Sequence, residues 1–143
     1  MDILSYLKTE GISPFREMVG IKYTHAENGH SQCVMDVDER LFNPGRFVHG
    51  GATFAMVDSG MGAALLSCLD EGEVCSTIDS KIAYLKAVRS GKLTCDSRVV
   101  RRSKRLAVIE AEVRNDEELA AKALATFSVF RADMDVVAGF GGD

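Results

Sequence analysis

The feature that most constrains this chain is the stretch NPGRFVHGGATFAMVDSGMGAALLSCL, Asn43 to Leu69. A polar, glycine-bearing loop runs into a long apolar segment whose only charge is Asp58. Gly50 to Leu69 matches the roughly 20 residues that a membrane span requires. However, it holds four glycines (50, 51, 60 and 62), and an Asp at the bilayer centre costs roughly 3 kcal/mol. A helix that is apolar all round and does not cross a membrane is buried inside a globular domain. The segment therefore predicts a central helix over Gly50–Leu69, ended by Asp70-Glu71-Gly72, and no membrane span.

Elsewhere the hydrophobic period is two. Cys33, Met35 and Val37 share one face, and Ile78, Ile82 and Tyr84 another. The same alternation places Leu93, Cys95 and Val99 together, then Ala107, Ile109, Ala111 and Val113, then Ala123, Ala125, Phe127 and Val129. Such alternation marks antiparallel strands with one buried face. Residues 19–26 add a strand at an edge, and residues 2–8 form a short amphipathic helix. A single long helix cannot cover both faces of a sheet this large. The expected architecture is α+β, a curved antiparallel sheet wrapped around one helix. Open sheet edges of that kind pair across dimers.

The 143 residues suit a single domain over 1–143, and the net charge of −4 gives no reason to expect nucleic acid as a partner. Cys33, Cys68, Cys75 and Cys95 form no C-x-x-C pair and have no His at metal-ligand spacing, so free thiols and no metal site are expected. MDILSYLKTEG lacks the basic and apolar regions of a signal peptide. A cytoplasmic location follows as an expectation. The tail VVAGFGGD is expected to be flexible.

The chemistry centres on the helix. Gly50 and Gly51 open it, where N–H groups lack intrahelical acceptors and the dipole is positive. Such N–H groups can hold a carbonyl oxygen as it becomes an oxyanion; the two glycines would equally suit a helix start under close packing. Asp58 shares its face with Phe54, Ala55, Met61, Gly62 and Leu65, and a carboxylate there must be paired or used. General-base work is one use. Eight residues of helix rise about 12 Å, and donor and base must each sit within about 3 Å of their targets. If Gly50 and Asp58 serve one substrate, they come from different chains. Two antiparallel helices about a two-fold would supply both, which predicts a dimer with two interfacial sites.

Asn43, the run His49-Gly50-Gly51 and Asp58 together resemble the signature of hotdog-fold acyl-CoA thioesterases of the PaaI (phenylacetate-pathway) and human thioesterase-superfamily-member-2 type. The resemblance covers about residues 15–132. It implies a hotdog fold and hydrolysis of acyl-CoA to a free acid and coenzyme A, with no cofactor besides the coenzyme A of the substrate. It implies that Gly50 N–H polarises the thioester carbonyl while His49 and Asn43 support that pocket, with Gly51 beside it. Asp58 of the other chain would act as general base on water, or as nucleophile. The family's Ser or Thr at the start of the third strand matches Thr77, with Ser76 next to it.

Arg101, Arg102, Lys104 and Arg105 cluster at a predicted hairpin. The resemblance suggests that Arg102 and Lys104 meet the nucleotide phosphates; a solvated turn explains the cluster equally well. Phe47, Phe54, Met61 and Tyr84 are candidates to line the acyl pocket. His25 and His30 flank a turn and are expected to be exposed, and Glu110 and Glu112 form a solvent-facing stripe. No Gly-x-Ser-x-Gly elbow supports a serine triad. Two alternatives stay open: a non-catalytic acyl-CoA-sensing module, and an enoyl-thioester hydratase using His49. Exposed sheet faces further suggest that dimers join as tetramers.

Overall fold

The computed structural model describes residues 2–11 and 13–132. The tail VVAGFGGD lies outside them. Two short helices come first. The Asp2 carboxylate accepts the Ser5 N–H at 3.1 Å and caps α1 (Ile3–Thr9). The second, α2 (Pro14–Val19), was not expected from the hydrophobic pattern. Its signals are local: Ser13 caps it, Pro14 occupies the first turn and Gly20 ends it at φ 90°. The first strand therefore starts at Ile21 rather than at residue 19.

Strands β1 (Ile21–Glu27) and β2 (His30–Asp36) form a hairpin through Asn28 and Gly29, both at positive φ, as a two-residue primed turn requires. A single 3-10 turn (Glu39–Leu41) and a loop lead into α3 (Gly50–Leu66). Then follow β3 (Glu73–Tyr84), β4 (Lys92–Arg102), β5 (Leu106–Asn115) and β6 (Glu118–Arg131). All strands join one antiparallel sheet in the order β1-β2-β4-β5-β6-β3. The register slips in four of the five strand pairs, and each such irregularity bends the ladder. The curved sheet and central helix are those expected. The predicted edge strand is β1, and β3 forms the other edge.

Helix α3 lies on the concave face. Met56, Val57, Met61 and Leu65 are fully buried against Cys33, Met35, Leu93, Cys95, Ile109 and Val113. Burying each such side chain contributes about 1.5–3 kcal/mol. That outweighs the cost of Gly60 and Gly62 inside a helix, about 1 kcal/mol each. Gly60 is where the backbone comes closest. A Cβ there would lie 2.9 Å from Ser97 Oγ and 3.2 Å from Cys95 Sγ. The Ser31 hydroxyl donates to the Gly60 carbonyl at 2.6 Å.

Several details differ from the expectations. The helix stops at Leu66, because the Ser67 hydroxyl turns back to the Ala64 carbonyl at 2.7 Å and competes with another turn. Met61 and Leu65 belong to the core, whereas Phe54, Ala55, Asp58 and Gly62 stay half-exposed in the single chain. Ile78 and Tyr84 are 55% and 52% exposed, because β3 is an edge strand with a bulge between Thr77 and Asp79. His30 is half-buried and lies 3.0 Å from Asp96. All four cysteines are free thiols.

Replacing Gly60 with Ala forces the new methyl group into Ser97. Urea unfolding should show a loss of about 1–3 kcal/mol, and Gly62→Ala, which meets only Phe127 at 3.8 Å, should show no such loss.

Candidate active site

The loop before α3 is tied by its own backbone. Asn43 N–H donates to the Phe47 carbonyl at 2.9 Å and Arg46 N–H to the Asn43 carbonyl at 2.9 Å. Asn43 Oδ1 accepts the Phe47 N–H at 3.4 Å. Asn43 thus shapes the loop from within. Val48 N–H donates to Val88 and His49 N–H to Leu41, which fixes the entry into the helix.

His49 is the N-cap of α3, and its Nδ1 accepts the Gly51 N–H at 2.8 Å. That bond puts the proton of a neutral imidazole on Nε2. The Gly50 N–H has no acceptor among the described residues. The helix begins where the sequence predicted, and the Gly50 N–H is left without an intrahelical acceptor. Beside it lies a cleft of about 410 Å³ lined by Phe47, Val48, Gly50, Thr53, Tyr84 and Lys86, among others. Phe47 and Tyr84 are therefore in the expected cleft; Met61 is not.

Asp58 sits two turns further along. The Thr77 hydroxyl donates to Asp58 Oδ1 at 2.8 Å, so the carboxylate is held from within β3, beside its bulge. Ser76 lines the same hollow but makes no hydrogen bond to Asp58. This hollow, about 520 Å³, is walled by Leu7, Tyr23, Gly62, Cys75 and Phe127, among others. Tyr23 Oη–H donates to the Ser59 carbonyl at 2.9 Å and anchors the helix beside Asp58. Burial pushes the Cys75 thiol above its ordinary value, with Cys68 and then Asp58 adding to the rise. The wall supplied by α1 and β1, through Leu7 and Tyr23, was missed by sequence reasoning. No motif marks it, since its residues are ordinary apolar positions far away in the chain.

The Gly50 cleft and the Asp58 hollow share no lining residue. One chain therefore carries the Gly50 N–H and the Asp58 carboxylate in two separate hollows. Strand β3 touches both: Thr77, its fifth residue, reaches Asp58, and Tyr84 at its end reaches the Gly50 carbonyl at 2.7 Å.

Arg102 is placed differently from the expectation that it meets phosphate. It turns inward to pair with Glu73, lies 3.7 Å from Asp70, and donates to the Cys68 carbonyl at 2.6 Å just past the end of α3. It clamps the helix end to the hairpin. Lys104 stays exposed at the hairpin tip with Arg101 and Arg105, and none of the three makes an ion pair among the described residues. The stripe residue Glu112 pairs with Arg114 at 3.2 Å and Lys122 at 3.3 Å on the outer face. No group of His, Cys, Asp and Glu among the described residues could hold a metal ion. No helix among them is long and apolar enough to cross a membrane.

A curved six-stranded antiparallel sheet wrapped around one long helix is the hotdog fold. The model of the thioesterase superfamily matches residues 45–122, more than half of the sequence, and the chain belongs to that family. A candidate esterase of Saccharolobus solfataricus is 33% identical over 131 residues, 91% of this chain and 85% of its own length. The crystal structure of a thioesterase from Haemophilus influenzae superposes with a TM-score of 0.84 at 26% identity, over 90% of each chain. The phenylacetic acid degradation protein PaaI of Thermus thermophilus shares the fold, with a TM-score of 0.75 at 21% identity over 81% of this chain and 98% of its own.

The Asp70 N–H, and after it the Arg102 guanidinium, hold the Glu73 carboxyl below its ordinary value of 4.5. A carboxyl with a depressed folded-state value stabilises the fold above its unfolded value and loses that contribution as pH falls through the lower one. Calorimetry from about pH 7 to about pH 3 should show the wild-type melting temperature falling below about pH 4.5. Arg102→Gln should melt lower than wild type at neutral pH and lose less on acidification.

Proposed function

We propose that the protein hydrolyses acyl-CoA thioesters as a homodimer with two interfacial sites. Each site combines Gly50 of one protomer with Asp58 of the partner subunit. The observation that carries this is the division of the chemistry into two half-sites that share no lining residue. Both hang on β3, whose outer edge is unpaired within the chain. An antiparallel β3–β3 contact about a two-fold would set the Tyr84 end of one strand beside the Thr77 end of the other. The half-sites then face each other, and the exposed side chains of Ile78 and Tyr84 become covered.

In the proposed reaction the substrate carbonyl points at the free Gly50 N–H. Asp58, oriented by Thr77, takes a proton from water as the water oxygen attacks the carbonyl carbon. Negative charge collects on the carbonyl oxygen, where the helix N-terminus favours it. The tetrahedral intermediate then collapses, the C–S bond breaks, and the coenzyme A thiolate leaves and takes up a proton. The reaction calls on no cofactor beyond the coenzyme A of the substrate. His49, the one histidine available to an enoyl-thioester hydratase, spends its Nδ1 on capping α3. The phosphates would meet Lys104, Arg101 and Arg105, since Arg102 is engaged elsewhere. A second contact would join dimers into tetramers through the outer face, where Leu106, Leu124 and Phe130 are about half-exposed. The free thiols suit the reducing cytoplasm.

Steady-state hydrolysis of a panel of acyl- and aryl-CoAs tests the activity. Asp58→Asn should lower kcat by roughly 10²–10⁴-fold, and an unchanged rate would remove Asp58 as the base. Tight binding without turnover would identify a sensor. Loss of enoyl absorbance without release of thiol would identify a hydratase.

The shared site has its own test. Gly50→Pro removes the N–H where the helix backbone accepts proline, and its ring displaces the Tyr84 side chain. Mixed with Asp58→Asn, it gives heterodimers with one intact site each. Random mixing should recover about a quarter of wild-type activity. No recovery, although heterodimers form, would place each site within one chain.

A further inference from the structure

The peptide that joins Gly50 to Gly51 is gripped on both sides. Its carbonyl accepts the Tyr84 Oη–H at 2.7 Å, and its N–H donates to His49 Nδ1 at 2.8 Å. The Tyr84 ring lies directly against Gly50, where an added Cβ would meet Cζ at 3.0 Å and Oη at 3.1 Å. The peptide before it, which carries the Gly50 N–H, is held only at its carbonyl, where His49 accepts from Ala52 at 2.9 Å and Thr53 at 3.4 Å.

Two consecutive glycines at a helix start are the softest backbone available, because neither has a Cβ to narrow its φ and ψ. The first N–H groups of a helix also lack the intrahelical bonds that hold the rest. Left alone, this turn would sample many directions for the Gly50 N–H. An oxyanion donor is useful only if its direction is fixed before charge develops.

We propose that Tyr84 is a positioning residue for the oxyanion donor. By pinning the Gly50–Gly51 peptide together with His49, it aims the Gly50 N–H into the cleft and leaves that group as the sole backbone donor. This role rests on the proposed hydrolysis. Tyr84 is suited to it because its ring fills the space above Gly50 while its hydroxyl makes the bond. A phenol is protonated at neutral pH, and desolvation raises this one further above its ordinary value.

Tyr84→Phe separates the two parts of the side chain, since it keeps the ring in the cleft and removes only the hydroxyl. With an acyl-CoA that the wild type hydrolyses, kcat should fall roughly tenfold, about 1.4 kcal/mol of barrier. KM should stay within about twofold, and the melting temperature should not move. Amide exchange followed by NMR provides a readout that needs no activity: the Gly51 N–H should exchange roughly tenfold faster in Tyr84→Phe, with the core of α3 unchanged. A wild type that hydrolyses no acyl-CoA would defeat the proposed reaction but leave the clamp to the exchange experiment. Wild-type kcat in an active Tyr84→Phe, or unchanged Gly51 exchange, would overturn the proposal. So would a fall in kcat accompanied by a lower melting temperature and faster exchange throughout α3, which would show a merely structural role.

Discussion

The structure depends on how closely one helix can approach one sheet. At Gly60 the backbone of α3 lies within reach of Ser97 and Cys95, and the Ser31 hydroxyl reaches the Gly60 carbonyl. The sheet accommodates this with small inward residues, among them Ala107, Ala111, Ala121, Ala123 and Ala125. The larger Met56, Met61 and Leu65 then fill the space on either side. With the helix set at this depth, its far face is left at the surface of the single chain, and Asp58 is on that face. The position of the carboxylate is thus a consequence of small residues on the other side of the helix.

Strand β3 converts that placement into a geometry for chemistry. Along this edge strand, Thr77 holds Asp58 and Tyr84, at the strand's end, holds the first helical peptide. In the proposed hydrolysis, the carboxylate tied to Thr77 and the N–H beside Tyr84 are each incomplete alone. Their separation along α3, about 12 Å, is too great for one substrate atom to meet both within a chain.

Much of this was legible in the sequence. Alternating residues such as Ala107, Ile109, Ala111 and Val113 gave the strands because burial on one face of a sheet repeats every second residue. Gly50 was legible as the helix start, whereas Thr77 came in only through the family resemblance, with Ser76 beside it. What was not legible depends on contacts between distant residues. Arg102 looked like a surface cation because nothing in VVRRSKRLAV shows that Glu73 will stand beside it. Tyr84 looked like an inward strand residue because strand order, which makes β3 an edge, cannot be read from its own pattern. The helix α2 was missed although Ser13, Pro14 and Gly20 announced it, because six residues are too few for a hydrophobic period to register.

The bonds that lock α3 in place have a kinetic consequence. Tyr23 to Ser59, Ser31 to Gly60, Gly29 to Ser67 and Arg102 to Cys68 each join residues 29 to 38 positions apart in the chain. A helix can form its own turns in under about a microsecond, but these contacts exist only after long loops have closed, which slows folding in proteins dominated by such pairings. The hairpin β1–β2 forms from neighbours through Asn28 and Gly29, and its tip is the part that meets Ser67. On this topology a ready-made hairpin waits for the helix end, and the chain commits to its final arrangement when the two dock.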